Sequence, residues 1–198
     1  MNYYNELMTD HRDALLLVDL QNAFFDEEGL AEQEDELTAA ANRLSEAAIK
    51  AKIPVFVVTT VHSRDTSTWT LNMLEAGEGF LFSGEEGTEV ISGLNTDQTT
   101  RIEKTRDSAL FATDLHLRLV NLSVNRIVLA GVSTHGCISQ TARDAYAHNI
   151  RSVLISDATA DARQDYHEAQ LQRLEEDGQA STATMDEIIA TWQNTADH

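Results

Sequence analysis

The chain is poor in cysteine, proline and lysine, and each scarcity excludes something. Its one thiol, Cys137, cannot close an internal disulfide, and no Cys/His cluster has the spacing of a zinc site. Its one proline, Pro54, stands at the start of an apolar run, where a missing N–H does little harm. No apolar run approaches the length of a membrane span. The polar stretch Met1 to Asp13 lacks an apolar signal region, so a cytoplasmic setting is expected. The lysines are Lys50, Lys52 and Lys104 alone. With 14 basic against 33 acidic residues, the formal charge is −19. Such a surface repels nucleic acid and anionic membranes, so neither is expected as a partner. It suits a salt-rich cytoplasm or an ordinary acidic bacterial enzyme equally well.

What is present is an alternation of strands and helices. The hydrophobic fraction of 42% argues against disorder, and 198 residues suit one domain with a sizeable core. The expected domain is 1–198, with its core at about 13–192. Leu15 to Leu20, Pro54 to Thr60, Thr100 to Thr105, Ile127 to Ala130, Ser152 to Ser156 and Ala180 to Thr182 read as strands. Glu34 to Lys52 carries Leu37, Ala40, Ala41, Leu44 and Ala48 at helical spacing. Further helices are expected over Thr113 to Leu122, capped by Thr113, and over Ile138 to Ala147, Tyr166 to Glu176 and Met185 to Trp192. This order predicts a three-layer α/β/α domain with a mostly parallel central sheet. Ser63 to Gln98 reads as irregular, a lid or an interface.

Ligands of open parallel sheets bind beyond the carboxyl ends of the strands. Asp19 ends the first strand, Lys104 lies near the end of the third and Cys137 follows the fourth. Cys137 is expected at a helix N-terminus, where partial positive charge favours thiolate. Lys104 would lower the thiol pKa and keep Asp19 ionised. Asp19 could accept the thiol proton and return it to a leaving group. Backbone N–H groups near Ser133 and Cys137 could hold an oxyanion. This describes hydrolysis of a carbonyl derivative through a thioester, without a cofactor. Each residue also has a plainer reading: an inert buried thiol, a turn-capping aspartate, a solvated lysine.

Three segments carry a family resemblance. They are Leu17-Val18-Asp19-Leu20-Gln21-Asn22-Ala23-Phe24, Lys104-Thr105-Arg106-Asp107-Ser108-Ala109, and Gly131 to Ile138 followed by Thr141 to Ala145. In order and separation the chain resembles the isochorismatase-like cysteine hydrolases, which include nicotinamidases, N-carbamoylsarcosine amidases and ureidoacrylate amidohydrolases. The resemblance implies an Asp19–Lys104–Cys137 triad. It also implies a cis Val132–Ser133 peptide that turns the Ser133 N–H toward the oxyanion, and a homodimer or homotetramer. Nicotinamidases carry an Asp-x-His pair and a later histidine for a metal. Here Thr60 precedes Val61-His62, Asp65 follows, and the next histidine is His116. No metal is therefore expected, and nicotinamidase activity is disfavoured. Leu110 replaces a frequent aromatic residue, which would widen the pocket.

Isochorismatases proper cleave a vinyl ether without a thiol nucleophile, so Cys137 favours C–N hydrolysis of a small amide, carbamoyl or ureido substrate. The alternatives are vinyl-ether hydrolysis and a non-catalytic binding protein on the same fold. Around the triad, His62 is expected in the substrate pocket or capping a helix. Phe24 and Trp69 are expected to line the pocket or pack in the core. Gln21 and Asn22 would orient Asp19 or cap the following turn, and Gln21 would also contact substrate. His135 faces the site or a neighbour, and Arg106 holds a substrate carboxylate or pairs with a surface acid. His167 and Glu168 are expected on a solvated helix.

Overall fold

The computed structural model describes residues 11–196. The polar stretch read as lacking a signal lies mostly outside the described residues. Six strands form one all-parallel sheet: β1 Asp13–Val18, β2 Val55–Thr60, β3 Thr100–Lys104, β4 Arg126–Val132, β5 Arg151–Ala160 and β6 Ser181–Ala183. Their spatial order is β3-β2-β1-β4-β5-β6. The helices are α1 Asn22–Phe25, α2 Glu28–Ala31, α3 Glu34–Lys50, α4 Leu71–Ala76, α5 Leu115–Asn121, α6 Ser139–Ala147, α7 Gln164–Glu176 and α8 Met185–Ala196.

Alternation along the buried strands builds two cores. Leu15, Leu17, Val55, Val57, Val128 and Ala130 face one side of the sheet, where Leu37, Ala41 and Leu44 of α3 and Ile188 and Trp192 of α8 cover them. Leu16, Val18, Phe56, Val58, Ile127 and Leu129 face the other side, covered from α5, α6 and α7 by Leu115, Leu119, Ala142, Ala145 and Leu174. Burial on both faces explains why the central strands read as continuous apolar runs. Each fully buried leucine contributes roughly 1.5–3 kcal/mol relative to exposure.

The order turns between β1 and β4, which lie side by side with Val18 opposite Gly131. At such a switch point the loops leave in opposite directions and open a crevice at the carboxyl edge. Gly131 has φ +115°, and a Cβ there would sit 2.1 Å from the Val18 carbonyl oxygen. Gly131→Ala is therefore expected to cost roughly 3 kcal/mol from a forbidden backbone and a clash that β1 cannot relieve. Thermal unfolding would show it as a midpoint lowered by about 6–12 °C, and an unchanged midpoint would contradict the argument.

Several local expectations need correction. Ser63 to Gln98 holds α4, capped where the Thr70 hydroxyl accepts from the Met73 N–H at 3.4 Å and ended by left-handed Gly77, and a 3₁₀ turn at Glu86–Thr88. α5 starts at Leu115 with Asp114 at its N-cap; the Thr113 hydroxyl donates to the Ala109 carbonyl and accepts from the Leu115 N–H. Cys137 lies in a wide turn, Thr134–Ile138, broken by the non-helical Gly136, that runs straight into α6; α6 begins at Ser139 with Ile138 as N-cap, so the thiol stands at its N-terminal end. His167 is buried rather than solvated, because its Nδ1 meets the Thr134 hydroxyl at 2.9 Å; Glu168 is exposed. No helix among the described residues is long and apolar enough to cross a membrane.

Candidate active site

Asp19 leaves β1 with φ 53° and is fully buried. Lys104, the last residue of β3, is 1% exposed. Their strands are not neighbours, because β2 runs between them. Adjacent strands lie about 4.8 Å apart, so only a long side chain can span the gap. Lys104 does so: its Nζ lies 2.7 Å from Asp19 Oδ2. It also donates to the Thr60 hydroxyl at 2.6 Å and to Cys137 Sγ at 3.3 Å. The contacts with Thr60 and Cys137 are hydrogen bonds; the one with Asp19 is an ion pair, and Asp19 Oδ2 itself accepts no hydrogen bond. The Thr60 hydroxyl in turn donates to Asp19 Oδ1 at 2.8 Å.

Burial disfavours the charge on Lys104, but the Asp19 carboxylate and Cys137 outweigh it and hold the ammonium pKa above its ordinary value. The thiol behaves differently from the sequence expectation. Burial first, and then the charge of Asp19, push the Cys137 pKa well up, while Lys104 pulls only partly the other way. Burial and the Asp19 charge thus favour the protonated form of the thiol. Thiol alkylation by iodoacetamide should be slow at pH 7 and climb only in the alkaline range. A rate plateau already reached below neutral pH would restore the activated-thiolate view.

Ser133 follows a cis peptide from Val132. Its carbonyl accepts from the N–H groups of Gly136 and Ile138, which curls the backbone around Cys137. Behind this turn, the Thr134 hydroxyl donates to the Ala160 carbonyl at 3.0 Å, and Ser139 hydrogen-bonds the Thr134 carbonyl. Buried Asp161 accepts from the His135 backbone N–H at 2.9 Å and meets its Nδ1 at 2.5 Å. His135 turns its ring edge to Tyr166. These contacts anchor the thiol turn to β5 and α7. Asp161 ends β5 as Asp19 ends β1, so the carboxyl-edge rule that found Asp19 could have found it too.

The remaining candidates scatter. His62 is buried, and its Nδ1 donates to the Thr68 carbonyl at 2.9 Å, leaving Nε2 as the acceptor nitrogen. Burial lowers its pKa; the Thr68 bond opposes this, and Arg106 and Lys104 add to the lowering. Trp69 packs on Phe82, its indole N–H donating to the Ser63 carbonyl at 2.9 Å. Phe24 packs against the core under α3 and α8. Gln21 spends both amide protons on the carbonyls of Thr60 and Thr88, so it cannot donate to a substrate. Arg106 donates to the carbonyls of Thr68, Thr105 and Trp69 and makes no ion pair with a surface acid among the described residues. Leu110 is buried in the core beside α5. Its smaller side chain is absorbed by packing.

A cavity of about 460 Å³ opens near residues that follow Lys104 and Cys137 in sequence, though neither of those side chains nor Asp19 lines it. Arg106 and Asp107, just after Lys104, form one wall; Gln140, one turn beyond Cys137, forms another, with Asp144 behind it. A larger hollow of about 630 Å³ lies at the opposite, amino ends of the strands, beside Asp13, Pro54 and Arg126. Its distance from the thiol removes it from the chemistry.

The residues present do not fit a metal ion. Thr60 stands at the acid position of the Asp-x-His pair, and its hydroxyl is held between Asp19 and Lys104. No group of three His, Cys, Asp or Glu among the described residues is placed to hold one.

The Isochorismatase domain model matches residues 13–187. A probable inactive nicotinamidase of Arabidopsis thaliana is 35% identical over 167 residues, 80% of this chain and 85% of the relative. Nicotinamidase 3 of the same plant is 29% identical over 164 residues, 81% of this chain and 79% of the relative. In fold, a crystallised cysteine hydrolase from Pseudomonas syringae pv. phaseolicola superposes with a TM-score of 0.85 at 21% identity, covering 93% of both chains. The domain model spans most of the chain and a 35% identical relative covers four fifths of it, and the chain belongs to the isochorismatase family.

Proposed function

We propose that the protein is a cysteine-dependent hydrolase of a C–N bond in a small amide, carbamoyl or ureido compound. One observation carries this reading: a buried ammonium placed between a carboxylate at 2.7 Å and the only thiol at 3.3 Å. The thiol proton passes to Asp19 as Sγ attacks the substrate carbonyl carbon. A C–S bond forms, and backbone N–H groups of Ser133 and Cys137 hold the oxyanion. Collapse breaks the C–N bond, and protonated Asp19 delivers its proton to the departing nitrogen. Water, deprotonated by Asp19, then attacks the thioester; the acid leaves and the thiol is restored. Lys104 stays charged throughout, opposing negative charge on Asp19 and on sulfur in turn. No step uses a metal, and EDTA is expected to leave turnover unchanged.

The test is ammonia release from nicotinamide, N-carbamoyl amino acids, biuret and ureidoacrylate, beside a Cys137→Ala control. The Asp107 carboxylate acts on the thiol from nearby, adding negative charge at the site, so uncharged compounds should outpace carboxylates. Release that survives in the control would defeat the thiol mechanism and make vinyl-ether hydrolysis of isochorismate the next test. The name of the 35% relative supports a second reading, a non-catalytic binder. Silence on every compound, isochorismate included, would favour it. A homodimer or homotetramer is proposed as the working assembly, for sedimentation to check.

A further inference from the structure

We propose that Thr60 is a positioning residue, whose hydroxyl sets the geometry and charge balance of the Asp19–Lys104 pair that faces the thiol. The proposal rests on the hydrolase reading for its catalytic meaning, but not for its test. It begins with topology. Because β2 lies between β1 and β3, the residue ending β2 stands between the residues at the ends of its neighbours. Thr60 is that residue, paired in register with Lys104 and 7% exposed.

The direction of each hydrogen bond follows from the groups themselves. An ammonium only donates, so the contact at 2.6 Å is Lys104 Nζ to Thr60 Oγ1. The hydroxyl has one proton, and it points to Asp19 Oδ1 at 2.8 Å. The Lys104–Asp19 ion pair at 2.7 Å completes a ring through both carboxylate oxygens. Thr60 holds one ammonium proton, and another goes to Cys137 Sγ.

Thr60 is itself clamped. Fully buried Gln21 accepts from its backbone N–H at 2.7 Å and donates to its carbonyl at 3.0 Å, while also holding the Thr88 carbonyl at 2.9 Å. A side chain that satisfies both backbone groups of one residue behaves as a short extra strand. It fixes where the hydroxyl stands.

Removing the hydroxyl while keeping the β-branched shape isolates this role. In Thr60→Val, Asp19 loses a donor and Lys104 loses an acceptor. The carboxylate charge is then less compensated and opposes thiolate more strongly. The experiment is the pH profile of Cys137 alkylation by iodoacetamide, in the wild type, Thr60→Val and Thr60→Ser, with melting midpoints recorded beside it. The alkaline rise should move upward by about half a pH unit or more in Thr60→Val and coincide with the wild type in Thr60→Ser. Should Thr60→Val fail to fold, Thr60→Ala carries the same expectation. Where the panel yields a substrate, kcat should fall roughly tenfold in the valine variant with KM little changed. A valine profile that overlays the wild type would overturn the proposal, as would a serine variant displaced as far as valine. Failure of the hydrolase reading looks different: no compound turns over, yet the alkylation shift persists.

Discussion

Lys104→Met is expected to destabilise the fold by about 3–5 kcal/mol, the cost of leaving a buried charge without its partner. Asp19 is fully buried; the Lys104 ammonium is its ion-pair partner and the Thr60 hydroxyl donates to its Oδ1. Methionine fills the space of the lysine stem but gives the carboxylate nothing. The double variant Asp19→Asn/Lys104→Met removes both charges. It should recover most of the lost stability, because a buried ion pair stabilises little relative to neutral groups of similar shape. Urea unfolding of the three proteins measures the contrast directly. Both variants should be inactive, so stability and turnover separate in the double. A single variant as stable as the wild type would mean that water reaches Asp19 and that the pair is not sealed from solvent.

The second large effect runs in two directions at once. Asp19→Asn should lower ammonia release by about 10²–10⁴-fold, since the proposed acceptor of the thiol proton is gone. The same change should raise the rate of Cys137 alkylation at pH 7. In the wild type, burial and the Asp19 charge hold the thiol pKa well up, against the partial pull of Lys104. Asparagine removes the opposing charge and leaves the ammonium facing sulfur alone, so the thiolate becomes its counter-ion. A more reactive thiol in a less active enzyme is a signature that general damage to the site would not produce. Stability follows the same sign. An unfolded thiol ionises near about pH 8.5, whereas the native thiol keeps its proton above that, so wild-type stability is full below this range and falls as pH rises through it. The asparagine variant should lose less stability over that interval. Alkylation equal to or slower than wild type would show that Asp19 does not oppose the thiolate.

Much of the molecule was legible in one dimension. Continuous apolar runs marked β1, β2, β4 and β5, because strands buried on both faces have no polar side to reveal. Leu37, Ala41 and Leu44 marked α3 by their helical spacing. Asp19, Lys104 and Cys137 stood out because each follows or ends a strand on the edge where parallel sheets bind ligands. Boundaries were less legible. The turn at Thr134–Ile138 delays α6, and the Gly136 conformation behind that delay has no pattern in hydrophobicity.

By itself the sequence determined the alternating order of strands and helices, the apolar runs and helix face that feed the cores, and the three chemical groups at the carboxyl edge. These depend on local periodicity and on which residue ends which run. Only the tertiary structure decided what those groups do to one another. The order β3-β2-β1-β4 places Thr60 between Asp19 and Lys104, a neighbourhood set by strand pairing between segments some 40 residues apart. Gln21 became a clamp and His167 a buried brace for the same reason. The sign of the thiol shift was decided last, because it is the balance of burial and two opposed charges, and each term depends on distances that no linear spacing contains.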